Sequence, residues 1–215
     1  MRVEVKICGL TLPEDAAFAA ARGAWRLGVV FASGPRVVTP ERAREIVAAA
    51  NGVPVLGVFG TQSMRTMLEV ARAAGLAGVQ LHGKPDVDVA HQLRTQGLEV
   101  WRVVPIALGI DLSSVLVDAA QHADAILLES RVAGGAGGKG IPIALDLARA
   151  ARVAAPATRM VLAGGLTPDT VCEAIRVVGP DAVDVSSGIE TSPGVKDRER
   201  LARFLENVFA ARSAD

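Results

Sequence analysis

Val183-Asp184-Val185-Ser186-Ser187-Gly188 opens as an apolar, β-branched run and closes on two hydroxyl residues and a glycine. β-Branched residues suit the pleated, half-buried surface of a strand, and a strand that runs into small residues leaves a hollow at its carboxyl end. Met160-Val161-Leu162-Ala163, followed by Gly164-Gly165-Leu166-Thr167, repeats the pattern upstream. Two neighbouring strands that end this way turn several backbone N–H groups toward one point, an arrangement suited to a phosphate-sized anion. In a (β/α)8 barrel that place belongs to the loops after strands seven and eight. The pattern therefore predicts six further strands upstream.

The chain supplies them. Val3 to Ile7, Trp25 to Phe31, Pro54 to Gly60, Gly78 to Leu81, Leu98 to Pro105 and Ala123 to Ser130 read as strands. Helical patterns separate them: an Ala-rich stretch up to Gly23, one starting at Thr39-Pro40-Glu41 with proline at its first position, Met64 to Ala74 closed by Gly75, about Asp86 to Gln96, Ser113 to Ala120, and Ala144 to Ala154. Thr11 and Glu14 stand at capping-box spacing before the first helix, Thr167-Pro168 marks the start of a later one, and a terminal helix begins at Asp197. Strand and helix alternate at about 25 residues per unit, the signature of a parallel sheet with helical crossovers. A doubly wound open sheet is the competing architecture, but the first strand outlet, Ile7-Cys8-Gly9-Leu10-Thr11-Leu12, lacks G-x-G-x-x-G. The expectation is an α/β chain in which residues 1–215 form a single (β/α)8 TIM-barrel domain without a linker.

Charge narrows the function. Basic and acidic residues balance at 23 each, so there is no positive field to draw nucleic acid or anionic lipid, and aromatics at 3% leave few surfaces for base stacking. No apolar run approaches the roughly 18 residues that span a bilayer. Two isolated cysteines, Cys8 and Cys172, make neither a disulfide framework nor a metal cluster, and a reducing cytoplasm suits them. The reading excludes nucleic acid and membrane as partners and expects no metal.

Barrel chemistry sits at the carboxyl ends of strands. Those ends supply Cys8, Arg36, Gln80, His82, Glu129, Gly164, Gly165 and Asp184 through Gly188, Ser186 and Ser187 included. Cys8, beside a helix N-terminus, is expected to have a lowered pKa and act as a thiolate, or else to be a small core residue. Glu129 ends an apolar strand, where a carboxyl tends toward a raised pKa and a general-acid role; the alternative is an ion pair with Arg131. Arg36 is either a bidentate clamp for a substrate carboxylate or solvated. Gln80, His82 and Asp184 face the substrate on this reading, although a lone histidine such as His82 also reads as structural. Cys172, inside a helical pattern, reads as packing. The segment Gly134-Gly135-Ala136-Gly137-Gly138-Lys139-Gly140 departs from a nucleotide-binding P-loop at its last position and fits a lid over the pocket instead.

Several segments resemble the phosphoribosylanthranilate isomerase family: Val5-Lys6-Ile7-Cys8-Gly9-Leu10-Thr11, Gly57-Val58-Phe59, Val79-Gln80-Leu81-His82-Gly83, Leu162-Ala163-Gly164-Gly165-Leu166, and Asp184-Val185-Ser186-Ser187-Gly188-Ile189-Glu190 with Pro193-Gly194-Val195-Lys196-Asp197. The likeness runs through essentially the whole chain. It implies an Amadori rearrangement in tryptophan biosynthesis, a small phosphorylated substrate, no cofactor and a monomer or homodimer. It also implies that Cys8 is the general base and that Arg36 holds the anthranilate carboxylate. The phosphate would then lie on backbone amides of Gly164, Gly165, Ser187 and Gly188, with help from the loop containing Gly138. One departure stands out: the family's general acid is an aspartate, and Glu129 occupies that place. A misplacement of about 1 Å can cost about a hundredfold in rate. The alternatives are a sugar-phosphate-binding barrel that has lost its acid, or another phosphosugar enzyme on the same fold.

Overall fold

The computed structural model describes residues 3–83, 87–107, 112–130 and 142–211. Eight parallel strands close into a barrel in sequence order: β1 (Glu4–Ile7), β2 (Arg26–Val30), β3 (Val55–Phe59), β4 (Gly78–Leu81), β5 (Glu99–Ile106), β6 (Ala125–Ser130), β7 (Met160–Leu162) and β8 (Ala182–Val185). A helix follows each: α1 (Pro13–Ala21), α2 (Pro40–Ala49), α3 (Met64–Ala74), α4 (Val87–Thr95), α5 (Leu112–Gln121), α6 (Leu145–Ala154), α7 (Val171–Val178) and α8 (Arg198–Ala211). The barrel closes where β1 pairs with β8, Lys6 lying opposite Asp184.

Two apolar layers follow from the two-residue period of the strands. Outward residues such as Val5, Ile7, Leu27 and Val29 pack against the helices. Inward residues, among them Leu56, Trp101, Leu127 and Val161, fill the barrel itself. Trp101 is fully buried there. Its ring stacks on Trp25 at 5.7 Å and its indole N–H donates to Glu99 at 2.6 Å.

The helix ends follow local chemistry, with two exceptions. Thr39 caps α2 by accepting from the Arg42 N–H at 3.2 Å, ahead of Pro40, and α3 closes on Gly75 at φ 74°. The capping box expected at Thr11 and Glu14 does not form. Leu12 is the cap residue of α1, and the Thr11 hydroxyl donates instead to the Gly194 carbonyl at 2.6 Å. A tertiary acceptor has outcompeted the local one. Thr167-Pro168 does not begin regular helix either; it opens a turn in which the Thr167 N–H donates to the Thr170 hydroxyl, and α7 starts at Val171. Between β8 and α8 the chain makes a 3-10 turn (Ser187–Ile189) and a short antiparallel hairpin, β9 (Glu190–Ser192) with β10 (Val195–Lys196). Cys172 lies on the exposed side of α7, contrary to the packing role expected of it, with its thiol 3.6 Å from the Asn207 carbonyl.

Trp101→Ala removes the largest buried side chain of the barrel interior. It is expected to cost about 3–5 kcal/mol, read as a lower urea midpoint; an unchanged midpoint would mean that the interior layer does not carry stability.

Candidate active site

A cavity of about 400 Å³ opens at the carboxyl ends of the strands, a size suited to one small organic ligand. Cys8 follows β1, Arg36 follows β2, Gln80 ends β4 with His82 beyond it, Glu129 belongs to β6, and Asp184 and Ser186 come from β8 and its outlet. All seven line this one cavity. Strands of unrelated sequence position converge there because closure brings their ends into one ring.

Gly164, Gly165, Ser187 and Gly188 lie on the adjoining outlets of β7 and β8 and are not among the residues lining that cavity. The outlets touch closely: a Cβ on Gly188 would stand 1.9 Å from the Leu166 carbonyl oxygen, so only glycine lets the two loops meet. Among the described residues, the N–H groups of these four find no hydrogen-bond acceptor. They keep donors to offer an anion. Gly138, Arg131 and the rest of that glycine-rich segment lie outside the described residues.

The electrostatics of Cys8 differ from expectation. α1 begins only at Pro13, and burial pushes the thiol above its ordinary pKa rather than below it. What opposes burial is Lys6, with a smaller contribution from Lys196, while Asp184 adds to the upward push. Lys6 is itself completely buried, and its ammonium donates to Asp184 at 2.7 Å. Burial alone would lower its pKa, but Asp184 and then Cys8 hold it well above the usual lysine value. His82 moves the other way: burial, then Lys6, lower its pKa, so the imidazole is neutral near pH 7. Its Nδ1 stands 3.9 Å from the Glu129 carboxylate, beyond hydrogen-bond length. The Gln80 Oε1 is buried without a partner among the described residues, an acceptor left open beside the cavity.

Arg36 is neither solvated nor a free clamp. Its Nε donates to both Glu190 oxygens at 2.9 and 3.2 Å, and its Nη2 to Glu190 at 2.7 Å. Its Nη1 makes no protein hydrogen bond among the described residues. Glu190 also accepts from Lys196 at 2.8 Å, and the same ammonium reaches the carbonyls of Cys8 at 2.6 Å and Ser186 at 3.3 Å. Lys196 thus ties the outlets of β1 and β8 together. Lys6, Glu190 and Lys196 join the site without standing at the carboxyl end of a barrel strand. Lys6 carried a signal: a lysine in a strand covered on both faces needs a carboxylate, and Asp184 interrupts an apolar strand in the same way. Glu190 and Lys196 reach the site only through the β9–β10 hairpin.

An α/β barrel that turns a buried thiol and a carboxyl group into one carboxyl-end cavity falls in the class of barrel enzymes built for acid–base chemistry. More specifically, the chain belongs to the N-(5'-phosphoribosyl)anthranilate isomerase family, whose model matches residues 5–207. It is 38% identical over 210 residues to N-(5'-phosphoribosyl)anthranilate isomerase of Halorhodospira halophila, covering 97% of either chain. Its fold is similar to that of phosphoribosyl anthranilate isomerase from Thermotoga maritima, with TM-score 0.84 and 34% identity over 96% of this chain and 98% of the other. A phosphoribosyl anthranilate isomerase solved with reduced 1-(o-carboxyphenylamino)-1-deoxyribulose 5-phosphate is also similar, at TM-score 0.82 and 33% identity over 96% and 98% of the two chains.

Burial by itself would raise the Glu190 pKa, but the hydrogen bonds from Arg36 and the charge of Lys196 bring it below its ordinary value. A depressed folded pKa contributes stability that is complete above the unfolded value, about 4.3, and is lost as pH falls through the folded one. Glu190→Gln leaves the buried Lys196 and the partly buried Arg36 without their counter-ion and is expected to cost roughly 3–5 kcal/mol near neutral pH. The variant should also lose less stability than the parent on acidification below about pH 4.3. Urea midpoints measured across that range check both; parallel acid profiles would remove Glu190 from the linkage.

Proposed function

We propose that this chain converts N-(5-phosphoribosyl)anthranilate to 1-(2-carboxyphenylamino)-1-deoxyribulose 5-phosphate, the Amadori step of tryptophan synthesis, without a cofactor. The observation that carries this reading is the sharing of one cavity by Cys8 and Glu129, in a chain that belongs to the isomerase family. The relative solved with the reduced form of this product supports the choice of ligand.

Glu129, protonated, gives its proton to the furanose ring oxygen, and the ring C–O bond breaks to leave a Schiff base. Cys8, as thiolate, takes the proton from the second sugar carbon, and the electron pair passes into an enolamine that tautomerises to the ketone. Arg36, fixed along one edge by Glu190, faces the anthranilate carboxylate with the edge that remains. The donors at Gly164, Gly165, Ser187 and Gly188 receive the phosphate. Gln80 and Asp184 contact the sugar between these ends. Binding at both ends spends affinity on orientation, which is where intramolecular acid–base catalysis gains most. The longer side chain of Glu129, where relatives of the family carry aspartate, reaches the ring oxygen from the same strand position.

The test is the loss of anthranilate-substrate fluorescence on adding purified protein. Cys8→Ala and Glu129→Gln should each lower kcat by about 10²–10⁴-fold with little change in KM. Full activity in either variant would assign that proton transfer to another group.

A further inference from the structure

Lys6 has no place in the steps above, yet it is the charged side chain set deepest in the barrel, with no exposure at all. On β1, Val5 and Ile7 face the helices, so Lys6 and Cys8 share the inward side, Cys8 one level nearer the cavity. A buried Lys–Asp pair is a poor way to gain stability, since apolar residues of similar volume serve as well or better. Its charge therefore calls for another explanation, and the neighbouring strand provides one. Gly28 on β2 leaves a gap on the inward face: a Cβ there would lie 2.9 Å from the Cys8 Sγ, 3.1 Å from the Lys6 Cε and 3.1 Å from the Lys6 Nζ. Thiol and ammonium converge on the space that one absent side chain leaves. The ammonium is fixed from the far side by Asp184 at 2.7 Å and lies 5.7 Å from the Trp101 ring centroid.

A thiol enclosed in a barrel resists ionisation, which works against its use as a base. The charged and titratable groups around it come from every neighbouring element. Lys6 on β1, Lys196 on β10 and Arg36 after β2 favour the thiolate, while Asp184 on β8 opposes it. His82 beyond β4 and Glu129 on β6 share its cavity. Of the cations, Arg36 and Lys196 are already engaged by Glu190.

We infer that Lys6 is a positioning residue for Cys8: its ammonium, anchored by Asp184 and admitted by the gap at Gly28, is the counter-ion that keeps Cys8 available as a thiolate. Lys6 retains its proton throughout; the thiolate takes the substrate proton and becomes a thiol. The inference rests on the isomerase reading for its purpose, but the measurement that decides it, the ionisation of Cys8, does not use the isomerase reaction.

In a Cys172→Ser background Cys8 is the sole cysteine. The pH dependence of its alkylation by iodoacetamide, together with the ultraviolet absorbance of the thiolate, then reports its ionisation directly. Lys6→Met should raise the midpoint by about one pH unit or more, lowering the alkylation rate near pH 8 about tenfold. In the isomerase assay Lys6→Met should lower kcat with KM held within about threefold. A folded Lys6→Met protein with an unshifted midpoint overturns the inference. Should that variant fail to fold, Lys6→Gln, which keeps a donor for Asp184 but carries no charge, decides: an unshifted midpoint overturns the inference equally. Cys8→Ala with full turnover would instead defeat the isomerase assignment of the base and leave the alkylation result standing.

Discussion

The buried contact between the Lys6 ammonium and the Asp184 carboxylate lies on the seam where the barrel closes. Lys6 and Asp184 face each other in the register of the first and last strands, so the pair forms only when the sheet has come full circle. A one-residue slip of either strand would turn its charge to the other face and leave the opposite charge unpaired inside the barrel. The desolvation of two charges is offset only in the correct register, and the strand ends above them are then brought to one level. Cys8, Ser186 and the outlet that follows β8 inherit their placement from that seam.

A second buried network repeats the logic at the rim. Glu190 accepts from both Arg36 and Lys196, and Lys196 in turn donates to the carbonyls that leave the first and last barrel strands. The N–H of Lys196 is fixed by the Asp15 carboxylate at 3.1 Å, which ties the hairpin to α1. One carboxylate thus neutralises two cations, and the hairpin that carries it serves as a brace across the seam. The Arg36 guanidinium is thereby held in one orientation beside the cavity, and a group fixed in advance loses less entropy when it binds.

Much of this was legible in the sequence because it depends on local chemistry. The apolar runs gave all eight barrel strands, Met64–Ala74 with Gly75 gave α3 to the residue, and Thr39-Pro40 gave the start of α2. Closure then placed Cys8, Arg36, Gln80, His82, Glu129, Asp184 and Ser186 around one cavity without any pairwise information. What escaped depends on partners far away in the chain. The Thr11 hydroxyl chose the Gly194 carbonyl over a helix cap, and Glu190 found Arg36 through a hairpin too short to show a period. The direction of the Cys8 shift is not legible there, because a helix end is visible in sequence, whereas the depth of enclosure and the cation that answers it are not. Cys172 went astray for a simpler reason: it lies one position beyond the buried Val171 and on the outer face of α7.

The structure of this protein with reduced 1-(o-carboxyphenylamino)-1-deoxyribulose 5-phosphate bound tests the assignment of the site most directly. The phosphate is expected on the N–H groups of Gly164, Gly165, Ser187 and Gly188, the carboxylate at Arg36, and the sugar carbons between the Cys8 sulfur and the Glu129 carboxyl group. A phosphate lodged elsewhere, or a sugar out of reach of either Cys8 or Glu129, would contradict it.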